Sequence, residues 1–540
     1  MAFVGREWHV RMMQKIAPWL LAASLLAAAC APREAEVAIE ERTIDELQAL
    51  MADGRLTART LAEYYIDRIE RLDRQGPALG SIIEQNGDAL AIADALDRER
   101  REGDARGPLH GIPVVLKANI DTADGMSTTA GSLALEGHRP PEDAHLVSRL
   151  RAAGALILAK TNLSEWAYFR SSRATSGWSS VGGQTRNPYE PMRNPCGSSS
   201  GSAVAVSANF TVVAVGTETS GSIVCPASVN GIVGIKPTLG LVSRSGIIPI
   251  ARSQDTAGPM ARTVKDAAIL LTAMAGPDPD DPITVGAPPA ADYAADLGRA
   301  TLAGKRIGVW RTYLGAEEEI EVRALLDASI EVMRQRGALI VDPAGIDAAR
   351  LLEATLASYV VMAYEFKTDI ELYLDRSEAP IETLADVIAF NTANADRVMP
   401  YFGQDLMEAA QARGPLTDPE YLYALELSKR VSRELLRTAI DEHGLDAIVA
   451  PTNGPAWITD LENGDDFNLS SASLAATAGF PSITVPGGFV DGLPIGLSFI
   501  GDEWEDKALI EIAHAFEQAT LARRPPAPEA VAQSTEAASD

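Results

Sequence analysis

The chemistry most legible in the chain lies in two segments crowded with serine and glycine and in one lysine upstream of them. The segments are Cys196-Gly-Ser-Ser-Ser-Gly-Ser-Ala203 and Gly216-Thr-Glu-Thr-Ser-Gly-Ser-Ile-Val-Cys-Pro226. The lysine closes the apolar run Gly111-Ile-Pro-Val-Val-Leu-Lys117. A serine hydroxyl attacks a carbonyl only when a neighbouring base takes its proton. A neutral lysine amine can be that base if burial lowers its proton affinity towards neutral pH, and the end of an apolar strand is a place for such desolvation. The competing pattern is Gly197-Ser-Ser-Ser-Gly201, a Gly-x-Ser-x-Gly elbow centred on Ser199 with His443 or His514 as partner. It requires a strand immediately before it, yet Asn194-Pro195 stands there and proline breaks pairing. His514 has Ile512 and Phe516 beside it and reads as a structural histidine. No lysine lies three residues after a serine, which removes another serine–lysine arrangement.

Several classes are excluded by composition. The net charge of −27 argues against nucleic acid as a partner, because phosphate binding rests on Lys and Arg. No Cys-x-x-Cys, His-Glu-x-x-His or Cys/His cluster offers a metal site, so neither metal nor organic cofactor is expected. Beyond Cys30 the cysteines are Cys196 and Cys225, which are read equally well as a pair or as two buried thiols.

The elements that must position these residues follow from periodicity. Thr43-x-x-Glu46 has the form of a capping box opening a helix, and Leu61, Tyr65, Ile69 and Leu72 recur at near-helical spacing. Ile112 to Leu116 and Ala155 to Ala159 read as strands separated by a helix near His145 to Ala152, a βαβ unit. After the Ser/Gly stretch of residues 171 to 202 come a small-residue helix, Ala203 to Ala208, and a strand, Thr211 to Val215. Further strands are expected at Arg306 to Trp310, Ala338 to Val341, Ala447 to Ala450, Ser482 to Val485 and Ile495 to Ile500. The Pro/Asp-rich stretch from Gly276 to Pro289 reads as a surface connection. Lys160 and Lys236 also end apolar runs and read as snorkelling surface groups, with Glu165 a structural partner for Lys160.

The two serine motifs and the lysine resemble the amidase-signature family. There a Ser-Ser pair supplies a shuttle serine, the serine 24 residues later is the nucleophile and the Lys after Gly-Ile-Pro is the base. Ser198 and Ser222 stand at that interval. The resemblance runs from about Arg42 to about Ala522 and includes Asp446-Ala-Ile-Val-Ala-Pro-Thr452, Ala478-Gly-Phe-Pro-Ser-Ile-Thr-Val-Pro486 and Gly492-Leu-Pro-Ile-Gly496. It implies one large α/β domain with a mixed, twisted sheet covered by helices on both faces. It also implies Lys117 as base, Ser198 as proton shuttle after a cis bond from Gly197, and Ser222 as nucleophile. Backbone N–H groups of Thr219, Ser220, Gly221 and Ser222 would form the oxyanion hole, with Glu218 bracing the loop. The segments Ser164 to Arg170 and Ser176 to Pro188 resemble bacterial peptide amidases, which release ammonia from C-terminal carboxamides. Cys196, Ser220 and Val224 stand where the family commonly has Gly, Gly or Ala, and Arg; Ala118 stands where Asp is frequent. The alternatives are an amidotransferase A-type subunit or a non-catalytic substrate-binding lipoprotein of the same fold.

The remaining expectations concern the ends. Arg11 and Lys15 precede an apolar run, Ile16 to Ala29, too short to span a bilayer comfortably, which reads as an export signal starting from Met1, Met12 or Met13. It ends in Leu26-Ala-Ala-Ala29-Cys30, resembling a bacterial lipobox with a lipid on Cys30; simple cleavage after Ala29 is the alternative. The domain reading is therefore a signal over 1–30, an amidase domain over 31–524 and a disordered tail over 525–540. The protein would be periplasmic or membrane-anchored, touching membrane only through Cys30.

Overall fold

A computed structural model describes residues 37–289, 291–311, 320–467 and 469–527. The described residues from Glu41 onward belong to one large compact unit. Cys30, its preceding apolar run and the end of the tail lie outside the described residues. Among those described, no helix is long and apolar enough to cross a membrane.

The large unit is built on an eleven-stranded mixed sheet with α-helices packed against it. Its strands are β1 (Ile82–Gln85), β2 (Pro113–Lys117), β3 (Leu156–Thr161), β6 (Val213–Glu218), β7 (Val233–Lys236), β8 (Thr256–Ala261), β9 (Arg306–Val309), β10 (Leu339–Val341), β11 (Ala447–Pro451), β12 (Ser482–Val490) and β13 (Leu493–Ile500). A separate ribbon pairs β4 (Trp178–Ser179) with β5 (Gly183–Gln184). The spatial order is β1-β3-β2-β6-β8-β7-β12-β13-β11-β9-β10. The expected βαβ unit is present: β2 lies parallel to β3, and the helix His145–Ala152 joins them. Strand β2 is also parallel to β6 and buried along its whole length, as a continuous apolar run requires of a strand covered on both faces. Parallel strands direct their carboxyl ends to one edge of the sheet, where open α/β sheets form their sites. Lys117 ends β2 and Glu218 ends β6.

The helix Ser200–Ser207 explains its own composition. Every residue in it is buried, and a side chain at Gly201 would meet the Ser81 carbonyl oxygen at 2.3 Å. Only a small-residue helix packs so closely, so the Ser/Gly stretch is ordered structure rather than linker. The capping box closes through both its bonds, between the Thr43 and Glu46 side chains and backbones. Leu61, Tyr65, Ile69 and Leu72 are buried on a helix that widens into a π-helical turn after Arg68. The Pro/Asp-rich stretch is tied inward: Asp278 accepts from Ser243, and Asp281 pairs with Arg244.

Candidate active site

Lys117 and Ser198 are fully buried, and Ser222 is 8% exposed. Lys117 Nζ lies 2.8 Å from Ser198 Oγ, 2.8 Å from Thr217 Oγ1 and 3.1 Å from the Thr217 carbonyl oxygen. The amine is therefore held by three oxygens, two of them on the neighbouring strand β6. Burial drives the Lys117 pKa from 10.5 down to about 7, against the opposing charges of Asp255 and Glu218. A group at that value is substantially neutral at ordinary pH and can accept a proton.

The two serine loops are fastened together by backbone and covalent bonds. Ser199 N–H donates to the Ser222 carbonyl at 3.2 Å. Cys196, two residues before Ser198, forms a disulfide with Cys225, three residues after Ser222. The pairing left open by sequence is thus made, and the bridge packs against Val229, Ala456 and Trp457. The bond between Gly197 and Ser198 is cis. Ser199 is occupied elsewhere, its Oγ exchanging bonds with the backbone of Thr217, and no strand precedes it, which removes the elbow reading. Ser200 bonds the Cys196 carbonyl and Ser202 the Val215 carbonyl.

At the second loop, Gly221 has φ 83°, a left-handed turn that glycine adopts without steric cost. Among the described residues, the N–H groups of Ser220, Gly221 and Ser222 donate to no protein acceptor, while those of Ile223 and Val224 donate to Glu218 Oε2. Ser220 is exposed. Thr219 is tied at both ends: its hydroxyl donates to Asp255, and its carbonyl accepts from Gln254 Nε2. Asp255 and Thr217 escaped the sequence reading. Each is an ordinary residue in the chain, and only strand register brings it to Lys117.

The segments singled out at 164–170 and 176–188 form the wall behind Ser198. Ser164 N–H donates to the Ser198 carbonyl, and Ser164 Oγ accepts from Gly177 N–H. Glu165 pairs with Arg170 at 2.8 Å, both buried, rather than with Lys160. Arg170 also stacks over Trp178 and Phe402 and donates to the Phe402 and Gly403 carbonyls. Lys160 and Lys236 are both buried, not snorkelling: Lys160 donates to the Ile120 carbonyl and Thr128, and Lys236 to the Pro237 carbonyl. Burial lowers the pKa of each to about 8, against the opposing charges of Asp121 on Lys160 and of Glu218 and Asp506 on Lys236. His514 lies beside Glu517 on the helix Asp506–Thr520, outside both serine loops.

A family model described as Amidase matches residues 60–510. The chain is 50% identical to the solved peptide amidase from Stenotrophomonas maltophilia, with a TM-score of 0.85, covering 90% of this chain and 99% of that one. It is 52% identical, with a TM-score of 0.87, to a peptide amidase solved with the competitive inhibitor chymostatin, covering 90% of this chain and 99% of that chain. It is 41% identical to a probable amidase of Arabidopsis thaliana, covering 90% of this chain and 92% of that protein. It is 34% identical to the A-type subunit of the glutamyl-tRNA(Gln) amidotransferase from Pseudomonas syringae, covering 89% and 98% respectively. With its mixed sheet, paired serine loops and buried lysine, the chain belongs to the amidase-signature family and is an amidase, a hydrolase of amide C–N bonds.

Proposed function

We propose that the protein hydrolyses the C-terminal carboxamide of peptides through an acyl-enzyme on Ser222. The observation that carries the mechanism is the buried contact of Lys117 Nζ with Ser198 Oγ at 2.8 Å, in surroundings that bring the pKa of the amine down to about 7. Neutral Lys117 takes the Ser198 proton as Ser198 takes that of Ser222, and Ser222 Oγ attacks the amide carbon. The oxyanion is met by the backbone N–H groups of Thr219, Ser220, Gly221 and Ser222. The proton returns along the same relay to the nitrogen, ammonia leaves, and water then attacks the ester to release the acid and restore Ser222. The peptide-amide substrate is favoured by identity of about half to two solved peptide amidases, against about a third to an amidotransferase subunit. Export is supported by the disulfide, which persists in oxidising compartments.

The test is a peptide carrying a C-terminal carboxamide, followed by mass spectrometry. The expected product has OH in place of NH2 at that terminus, with released ammonia and intact internal bonds. Ser222→Ala should abolish the reaction in a protein that stays folded, and Ser198→Ala and Lys117→Ala should each lose several orders of magnitude. Near-normal turnover by Ser222→Ala would sink the mechanism. Turnover of long-chain fatty amides with peptide amides untouched would overturn the substrate alone.

A further inference from the structure

We propose that Asp255 is a positioning residue of this site, fixing the segment that carries the oxyanion N–H groups and setting the charge beside the base. Register makes the connection. Strands β6 and β8 are antiparallel, with Thr217 opposite Ala257 and Glu218 opposite Thr256. The next pair, just past the ladder, is Thr219 and Asp255. Thr217 and Thr219 are two residues apart and so point to one face of the strand. The first holds Lys117 Nζ and the second donates its hydroxyl to Asp255. The carboxylate thus stands on the same face as the amine, and it acts on Lys117 more strongly than Glu218 does.

Asp255 is itself firmly placed. Its other oxygen accepts from Ile250 N–H at 2.8 Å and Ala251 N–H at 2.9 Å. The preceding residue, Gln254, donates to the Thr219 carbonyl, so two adjacent side chains grip Thr219. The two residues before them are anchored from the long helix Ala348–Arg376: Glu365 accepts from Ser253, and Asp369 pairs with Arg252. The charged groups acting on this corner are Lys117 from β2, Glu218 from β6 and Arg244 from the loop before Asp255, with Glu365 and Asp369 engaged by Ser253 and Arg252. Asp255 brings a carboxyl group to this side of the base from the segment leading into β8; burial raises its pKa from 3.8 to about 7, against the bonds from Thr219, Ile250 and Ala251, so it carries its charge from about neutral pH upward.

This inference rests on Lys117 as base and Ser222 as nucleophile. Its test is the pH dependence of kcat/KM and the separate kcat and KM of Asp255→Asn and Thr219→Val on a simple carboxamide, normalised to active sites with a covalent serine-directed probe. Both variants should lose about tenfold to a hundredfold in kcat, less than deletion of an oxyanion donor itself, with KM little changed. In Asp255→Asn the acid limb should also move to lower pH, because the charge that Asp255 takes on as it ionises near pH 7, and that stabilises protonated Lys117, is gone. In Thr219→Val the carboxyl group remains with one hydrogen bond fewer holding its pKa down, so the limb should move less than in Asp255→Asn. Wild-type kcat and limb in Asp255→Asn would overturn the inference while leaving the serine mechanism standing, provided Ser222→Ala is inactive. An equal limb shift in both variants would also overturn it, since removing the charge would then do no more than removing the hydroxyl. Activity surviving in Ser222→Ala would instead defeat the underlying mechanism.

Discussion

Each buried ionic residue near the site has a measurable consequence set by what remains when its partner goes. Lys117 is the clearest case. Its pKa of about 7 lies well below the usual lysine range, and only the unprotonated amine accepts a proton. Activity should therefore rise as pH passes through about 7 and stay high in alkaline buffer; a profile falling just above that value would contradict Lys117 as base. Arg170 has a structural role of the same sharpness. Removing its guanidinium leaves Glu165 buried without its ion partner, with Ser180 N–H still donating to Oε2; burial already raises the Glu165 pKa, and loss of Arg170 raises it further. Arg170→Met should cost about 3–5 kcal/mol in urea unfolding, whereas the double change Arg170→Met with Glu165→Gln should recover much of it. Equal losses in the single and double variants would show that the pairing is not what matters.

At the level of elements, the site is held by ties between segments that are distant in the chain. The Cys196–Cys225 bridge spans 29 residues and joins the loop of Ser198 to the loop of Ser222. Replacing both cysteines by alanine should cost about 2–4 kcal/mol of stability, read as a lower Tm. It should also lower kcat, since the serine loops would then be joined by the Ser199–Ser222 backbone bond without covalent support. A variant of lower Tm with unchanged kcat would confine the bridge to stability. The hairpin of β12 and β13 shows a different economy. Its turn is Asp491-Gly492, both residues with positive φ, the type I′ combination whose twist suits paired strands. That dipeptide stands plainly between two apolar runs, and reading it would have joined strands that periodicity alone kept separate and short.

For the whole molecule, the proposal is export. The apolar run before Cys30 and the disulfide both fit an exported protein. Expressed in a Gram-negative host, the protein should fractionate with membranes and become soluble on Cys30→Ala. Mass spectrometry should find a lipid-modified N-terminus at Cys30. An unmodified chain beginning at Cys30 or Ala31 would remove the anchor and keep export.

The sequence by itself determined the family, the catalytic candidates and much of the sheet, because local signals carry them. Continuous apolar runs announced β2 and β3, and a 3.6-residue period the helices around them. The 24-residue interval between Ser198 and Ser222 needed no coordinates. What local pattern could not carry was decided by tertiary structure. Strand β8, Thr-Ala-Gly-Pro-Met-Ala, contains Gly and Pro and reads poorly as a strand, yet its neighbours β6 and β7 pair with it and all of it is buried. Lys160 and Lys236 read as exposed because lysine usually is; the Ile120 carbonyl and Thr128 hold the first inside and the Pro237 carbonyl the second, with acidic groups from other elements acting on both. Asp255 sits 138 positions after Lys117 in the chain (255 less 117) and acts on it only because β8 folds back along β6, bringing Thr219 and the carboxylate together. Periodicity records which face of an element is apolar; which charges meet across a sheet depends on strand order and register, and those belong to the folded chain alone.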